Sequence, residues 1–597
     1  MPKMGLKNLF FFKTSPSPSS SPSSSPPTRT FSESLMDENI ETARAIISKW
    51  ELISPSDQTA PLFSNTRQEA KQYLNSVMSL QSTMQHLVAL DSSSDTLVQA
   101  HFLMQLAMKR LQTEFYRILT QNRDNLDPES VASTDHRSSS VSDYGSDFSD
   151  DEFRFSGDSV STVAMADLKA IAECMVSAGY SKECVKIYIL MRKSVVDEAL
   201  YHYGVERLIF SQVQKMDWEV LESKIKSWLN AVRFAVRTLF HGERTLCDYV
   251  FGSPERNIAE SCFAAVCREG AESLFAFPEK VAKCKKTPEK MFRTLDLYEA
   301  ISDNRQQIES IFSSESTSSI RYQVTVSQAR LGEAVRTMLI DFESAIQKES
   351  SKIPVPGGGI HPLTRYVMNY IAFLADYGDA LTEIVADWPQ NSLPESYYRS
   401  PDREGNNRSS EIAERMAWLT LVLLCKLDRK AELYKEVALS YLFLANNMQY
   451  VVVKVRNSNL GFILGEDWLT KHELKVKEYA SKYERVGWSK VFLSLPETPT
   501  AEQARAIFEC FDVAFHDACK AQFSWVVPDP KLREEIKASL ALKFVPSHRE
   551  LFEKYRVGSE TVFGLTPNDL EHSLSDILSG SVSSSHTPSP PHRFKRT

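Results

Sequence analysis

The feature that most constrains this chain is an apolar stripe of helical period. It runs through about residues 37–123, resumes near 161 and continues to about 580, with almost no strand-length alternation. In Thr96–Leu119 the apolar positions are Leu97, Phe102, Leu103, Leu106, Leu111, Phe115, Ile118 and Leu119. After Pro362 they are Leu363, Tyr366, Val367, Tyr370, Phe373, Leu374 and Tyr377. In Glu411–Lys435 they are Ile412, Met416, Leu419, Leu423 and Leu427. Val451–Val455 is β-branched, yet it continues a stripe from Tyr441 and so predicts helix. Glycine is scarce, at 20 of 597 residues, and strands with tight turns would need more of it. Amphipathic helices joined by short loops bury their stripes against one another. The fold class is therefore all-α, with antiparallel helices stacked into bundles or rods. No fixed-period repeat is visible, which excludes a regular tetratricopeptide or armadillo array.

The breaks between stripes divide the chain into five parts. Residues 1–36 are a disordered Ser/Pro-rich segment, 37–125 an N-terminal helical region, 126–161 an acidic Ser-rich linker, 162–580 a helical rod, and 581–597 a disordered basic tail. Within the rod, Ile353–Gly359 is a Pro/Gly stop, 388–410 a loop and Pro496–Thr500 another, before a helix at Glu502–Trp525. The net charge of -8 is unevenly placed. Residues 1–31 carry Lys3, Lys7, Lys13 and Arg29 with no acid, and the last residues carry Arg593, Lys595 and Arg596 with none. Residues 127–161 hold nine acids against Arg137 and Arg154. The folded remainder is mildly acidic and a poor general partner for nucleic acid, because phosphate neutralisation needs a basic surface.

Nothing in the sequence assembles a catalytic site. Gly357-Gly358-Gly359 lacks the Lys-Ser/Thr of a phosphate loop and reads as a flexible turn. Asp150-Asp151-Glu152 falls in the linker, where nothing holds carboxylates in register for a metal. His516, between Cys510 and Cys519, reads as a packed core histidine rather than a ligand. The nine cysteines have no framework spacing and read as free, mostly buried thiols of a reducing compartment. The longest apolar run, near Trp418–Cys425, is far short of a membrane span of about 20 residues. The expectation is a non-enzymatic protein without cofactor or metal, in the cytoplasm.

Three stretches are specific. They are His361–Tyr370; Leu442–Arg456 followed by Leu464-Gly465-Glu466-Asp467-Trp468; and Trp525–Asp529 with Leu532-Arg533 and Thr566–Glu571. With Pro288–Arg293 and Leu295–Glu299, in this order and spacing over about residues 37–580, they resemble the Exo-seventy family of exocyst subunits in its plant form. The resemblance implies an elongated rod of stacked helical bundles in the complex that tethers secretory vesicles to the plasma membrane. It implies other exocyst subunits, Rho-type GTPases and acidic phospholipids as partners, and a peripheral place at plasma membrane and vesicles. One departure stands out. Lipid-binding members carry Lys-Tyr-Ile-Lys/Arg-Tyr where this chain reads Thr561-Val562-Phe563-Gly564-Leu565. Losing two cations weakens attraction to an anionic leaflet by roughly 2–3 kcal/mol.

The remaining C-terminal lipid candidates are Lys537, Lys543, Arg549, Lys554 and Arg556. An equal reading makes them solvated cations paired with Glu534, Glu550 and Glu553. At the other end, Lys3, Lys7 and Lys13 surround Leu6, Leu9, Phe10, Phe11 and Phe12, a pattern suited to an interfacial anchor or to an idle tail. Ser15, Ser17, Ser21 and Ser25 precede prolines, and phosphate there would oppose lipid contact; Ser149 reads as an acidophilic-kinase site. The stripe of the first helical region wants a partner helix from another chain or from the rod, which makes residues 37–123 a coiled-coil-like assembly handle. Asn446 and Asn447 are costly inside a helix and predict bonds to a neighbouring helix or loop. The alternative function is a diverged helical-rod scaffold serving other trafficking or defence partners outside the exocyst.

Overall fold

The structure is a computed structural model. It describes residues 31–50, 61–63, 67–90, 95–129, 131, 158–252, 256–386, 388, 393–394, 397, 407–495, 504–556 and 564–580. Among these the fold is all-α, and the one β feature is an isolated antiparallel bridge between Val526 and Ser579. Val451–Val455 lies inside helix Val437–Arg456, as its continuing stripe required. The chain divides into two compact units. One comprises residues 1–198 with 238–267, the other 199–237 with 268–597.

In the first unit, helices Phe31–Lys49, Arg67–Leu90 and Asp95–Gln121 pack on one another, and Asp158–Ser177 packs on the second and third. The Thr96–Leu119 stripe is largely covered from within the chain: Leu103, Leu111, Phe115, Ile118 and Leu119 are buried. Phe102 is 60% exposed. Adjacent helical residues point about 100° apart, so Phe102 and Leu103 cannot both face the core. Two ion pairs are sealed in this unit, Arg110 with Glu114 at 2.6 Å and Arg192 with Glu243. Helix Ser181–His202 turns Cys184, Tyr188, Arg192 and Val196 inward at i, i+4 spacing, and helix His241–Phe251 supplies Glu243, Leu246 and Val250.

The second unit is a succession of helix pairs. Met291–Ile311 packs on Ser318–Lys348, Pro362–Leu374 on Val437–Arg456, and Val437–Arg456 on Glu466–Gly487. Its core runs from Trp228, whose indole donates to the Leu274 carbonyl at 2.8 Å, to Trp488 and Phe544. The helix expected at Glu502–Trp525 is Ala504–Gln522, and the one expected from Glu411 begins at Asn407. His516 is exposed, which corrects its reading as a core histidine; the inward face of that helix is taken by Phe508, Phe511 and Phe515. Of the nine cysteines six are buried, while Cys425 and Cys510 are exposed.

Candidate functional site

The three specific motifs meet in one buried polar junction of the second unit. Helix Pro362–Leu374 starts on Pro362, where a missing N–H costs nothing. His361 caps it: the His361 Nδ1 accepts from the Leu363 N–H at 3.0 Å. That role requires a neutral ring, and burial together with the Lys430 charge lowers the imidazole pKa below its ordinary value. Asn447, fully buried on helix Val437–Arg456, accepts from the His361 N–H at 2.8 Å and from the Thr364 hydroxyl at 2.7 Å. Its amide donates to the carbonyls of Phe443 at 2.7 Å and Gly359 at 3.3 Å. Asn446 donates to Gly358 O at 2.8 Å and Val526 O at 2.7 Å. The Val526 N–H in turn donates to Gly357 O at 2.9 Å, and the Val527 N–H to Leu578 O at 3.0 Å.

The Pro/Gly stop is thus not a flexible turn but the hub of this junction. Gly357 and Gly358 sit at φ 64° and 72°, where other residues are strained. A Cβ on Gly357 would stand 2.5 Å from the Ser524 carbonyl, and one on Gly358 2.6 Å from Leu439. Two asparagines whose helix propensity is poor are kept because they satisfy backbone groups that no helix could reach.

A second feature is a cavity of about 270 Å³ walled by Leu421, Leu424, Met448 and Tyr479, with Lys471, Lys475 and Asp428 among its lining residues. His472 lies at its edge, stacked on Trp468 at 3.7 Å between ring centroids, with Nδ1 2.7 Å from the Trp468 carbonyl. Burial lowers the His472 imidazole to about 4, so it is neutral near pH 7. No group of three or more His, Cys, Asp and Glu side chains among the described residues could hold a metal.

Three of the C-terminal cations, Lys537, Lys543 and Arg549, pair with acids of the fold. Lys537 is 12% exposed and donates to the Ser575 carbonyl at 2.6 Å and to Glu534 at 3.3 Å. Lys543 pairs with the buried Glu484, which also accepts from the Ser539 hydroxyl at 2.8 Å. Arg549 binds Glu571 at 2.9 Å. Glu484 and Glu571 lie on other elements, in place of the same-helix Glu550 and Glu553 expected from sequence. Helix Pro530–Arg556 packs between Glu466–Gly487 and Pro567–Asp576, which present those acids. Lys554 is exposed on the same helix. The Arg556 side chain lies outside what is described, as do Lys3, Lys7, Phe10, Phe11, Phe12, Lys13, Ser15, Ser17, Ser21, Ser25, Ser149 and Thr561–Phe563. Among the described residues no helix is long and apolar enough to cross a membrane.

These features define an all-helical bundle protein among the described residues. A family model for the C-terminal region of the Exo70 component of the exocyst complex matches residues 226–576, and one for the Exo70 N-terminal region matches 39–121. Exocyst complex component EXO70B1 of Arabidopsis thaliana is 32% identical over 77% of this chain and 75% of its own. EXO70A1 of the same plant is 28% identical over 91% and 89%. A solved structure of S. cerevisiae Exo70 matches with a TM-score of 0.56 at 14% identity, covering 92% of this chain and 98% of that one, and so shares the fold. The chain belongs to the Exo70 family.

Proposed function

We propose that this chain is an exocyst-type subunit. It helps to tether secretory vesicles to the plasma membrane through protein and lipid contacts and performs no catalysis. The observation that carries the reading is the junction. The motifs that carry the resemblance, His361–Tyr370, Leu442–Arg456 and Trp525–Asp529, are tied to one another by Asn446 and Asn447. Other exocyst subunits are its expected partners, with Rho-type GTPases beside them, in the cytoplasm and peripherally at membranes. If the full chain is anchored artificially on mitochondria, other exocyst subunits and secretory vesicles should collect there. An unchanged distribution of both contradicts the reading.

Lipid contact rests on the N-terminal segment in this proposal. Lys537, Lys543 and Arg549 are engaged by Ser575, Glu484 and Glu571, and the stretch at Thr561–Leu565 lacks its two cations. Lys3, Lys7 and Lys13 supply about 3 kcal/mol on an anionic leaflet, and Phe10–Phe12 add apolar insertion. The full chain should float with phosphatidylserine-containing vesicles and a chain lacking residues 1–13 should not; equal flotation removes this part. The same loss of C-terminal cations favours the second reading, a scaffold that has left the exocyst for other trafficking or defence partners. Absence of the other subunits from the mitochondrial cluster selects it.

A further inference from the structure

In the first unit, helix Ser181–His202 presents a face with no counterpart in the described fold. Its inward positions, Cys184, Tyr188, Arg192 and Val196, are buried. Its outward positions form an open groove with Lys182, Lys186 and Lys193 beside Val185, Ile189 and Leu190. Leu190 is 69% exposed, and no acidic partner of Lys182 or Lys186 is found among the described residues. Acids lie toward its two ends, Glu183 in the first turn and Asp197 with Glu198, which line the end of the groove beyond Lys193. Glu198 is held by Arg123. An apolar strip flanked by cations fits a segment that carries aromatics and acids together.

The chain contains one. Residues 143–155 read Asp-Tyr-Gly-Ser-Asp-Phe-Ser-Asp-Asp-Glu-Phe-Arg-Phe, with five acids, four aromatics and a single arginine. Both ends of the segment that holds it belong to the same unit as the face: Val131 is buried on one side, and helix Asp158–Ser177 begins on the other. The 26 residues between them can span roughly 80 Å when extended, far more than a small unit requires. Tethering raises the local concentration of such a segment to about the millimolar range, so weak contacts suffice.

We propose that segment 143–155 docks on the Lys182–Lys193 face, with Phe148 and Phe153 against Ile189 and Leu190 and the acids against the lysines. Phosphorylation of Ser149 adds close to two negative charges in the middle of this contact and strengthens it.

Limited chymotrypsin cleavage of the full chain, with fragments mapped by mass spectrometry, tests this. Lys182→Glu/Lys186→Glu, both solvent-facing substitutions, should speed cleavage at Phe148 and Phe153 by about tenfold while circular dichroism stays unchanged. Phosphorylation of Ser149 by an acidophilic kinase should slow it in the wild-type chain and not in the variant. Carbodiimide cross-linking should join Lys182 or Lys186 to the 143–152 acids within single molecules. Equal cleavage rates in the two chains overturn the proposal. So do cross-links confined to a dimer band, which would give the face to a second copy.

Discussion

At the residue scale the account turns on Asn447 and on two buried histidines. Truncating Asn447 leaves the His361 N–H, the Thr364 hydroxyl and the Gly359 carbonyl without this partner in a buried site. Asn447→Ala should therefore cost about 2–4 kcal/mol, read as a lower urea midpoint, and Asn447→Leu should rescue none of it despite filling the volume. His548 is fully buried among Phe508, Phe511 and Phe552, and neither ring nitrogen has a hydrogen-bond partner among the described residues. Burial lowers its imidazole to about 4, as it does for His472. In the unfolded chain both rings take up protons near pH 6.5. Between pH 6.5 and about 4 the unfolded state thus binds more protons, and stability falls as acid is added. His548→Phe keeps the aromatic packing and removes one of these sites. Urea midpoints at pH 7, 5.5 and 4.5 should decline less steeply in that variant than in the wild type; an identical decline contradicts the assignment.

At the scale of elements, the stripe in Asp95–Gln121 shows how far periodicity can be read. Its apolar spacing identifies the helix, and Leu103, Leu111 and Phe115 take the inward face. It does not tell Phe102 from Leu103, because neighbours both fit a broad stripe and only the packed partner decides. Phe115→Ala should cost about 3–5 kcal/mol in thermal or urea unfolding, whereas Phe102→Ala should change stability by no more than about 0.5 kcal/mol. The pair Arg110 and Glu114 was illegible for a different reason. An i, i+4 pair of opposite charge normally marks a solvated face, yet here both side chains are buried. The π-helical turn Ala235–Phe240 carries no local signal at all. The polar demand of Asn446 and Asn447 was legible, since an asparagine in mid-helix needs a reason. That the reason is the glycine turn 88 residues earlier required the folded chain.

At the scale of the whole molecule, the helical class and the family were carried by pattern and motif, while the division into units was not. Segment 238–267 returns to the first unit after an excursion through the second, and no composition shift marks either crossing. The consequence is practical. Helices Arg67–Leu90 and Asp95–Gln121 pack on Asp158–Ser177, so deleting residues 1–125 would strip part of that helix's cover and disturb more than it removes. Surface substitutions, rather than that truncation, are the way to map its partners. The central claim is that this chain works by holding other exocyst subunits. Quantitative affinity purification of the intact, tagged chain from its own cells measures that directly. The account expects the other subunits in near-equal amounts to the bait, and their absence from a preparation that retains the folded chain contradicts it.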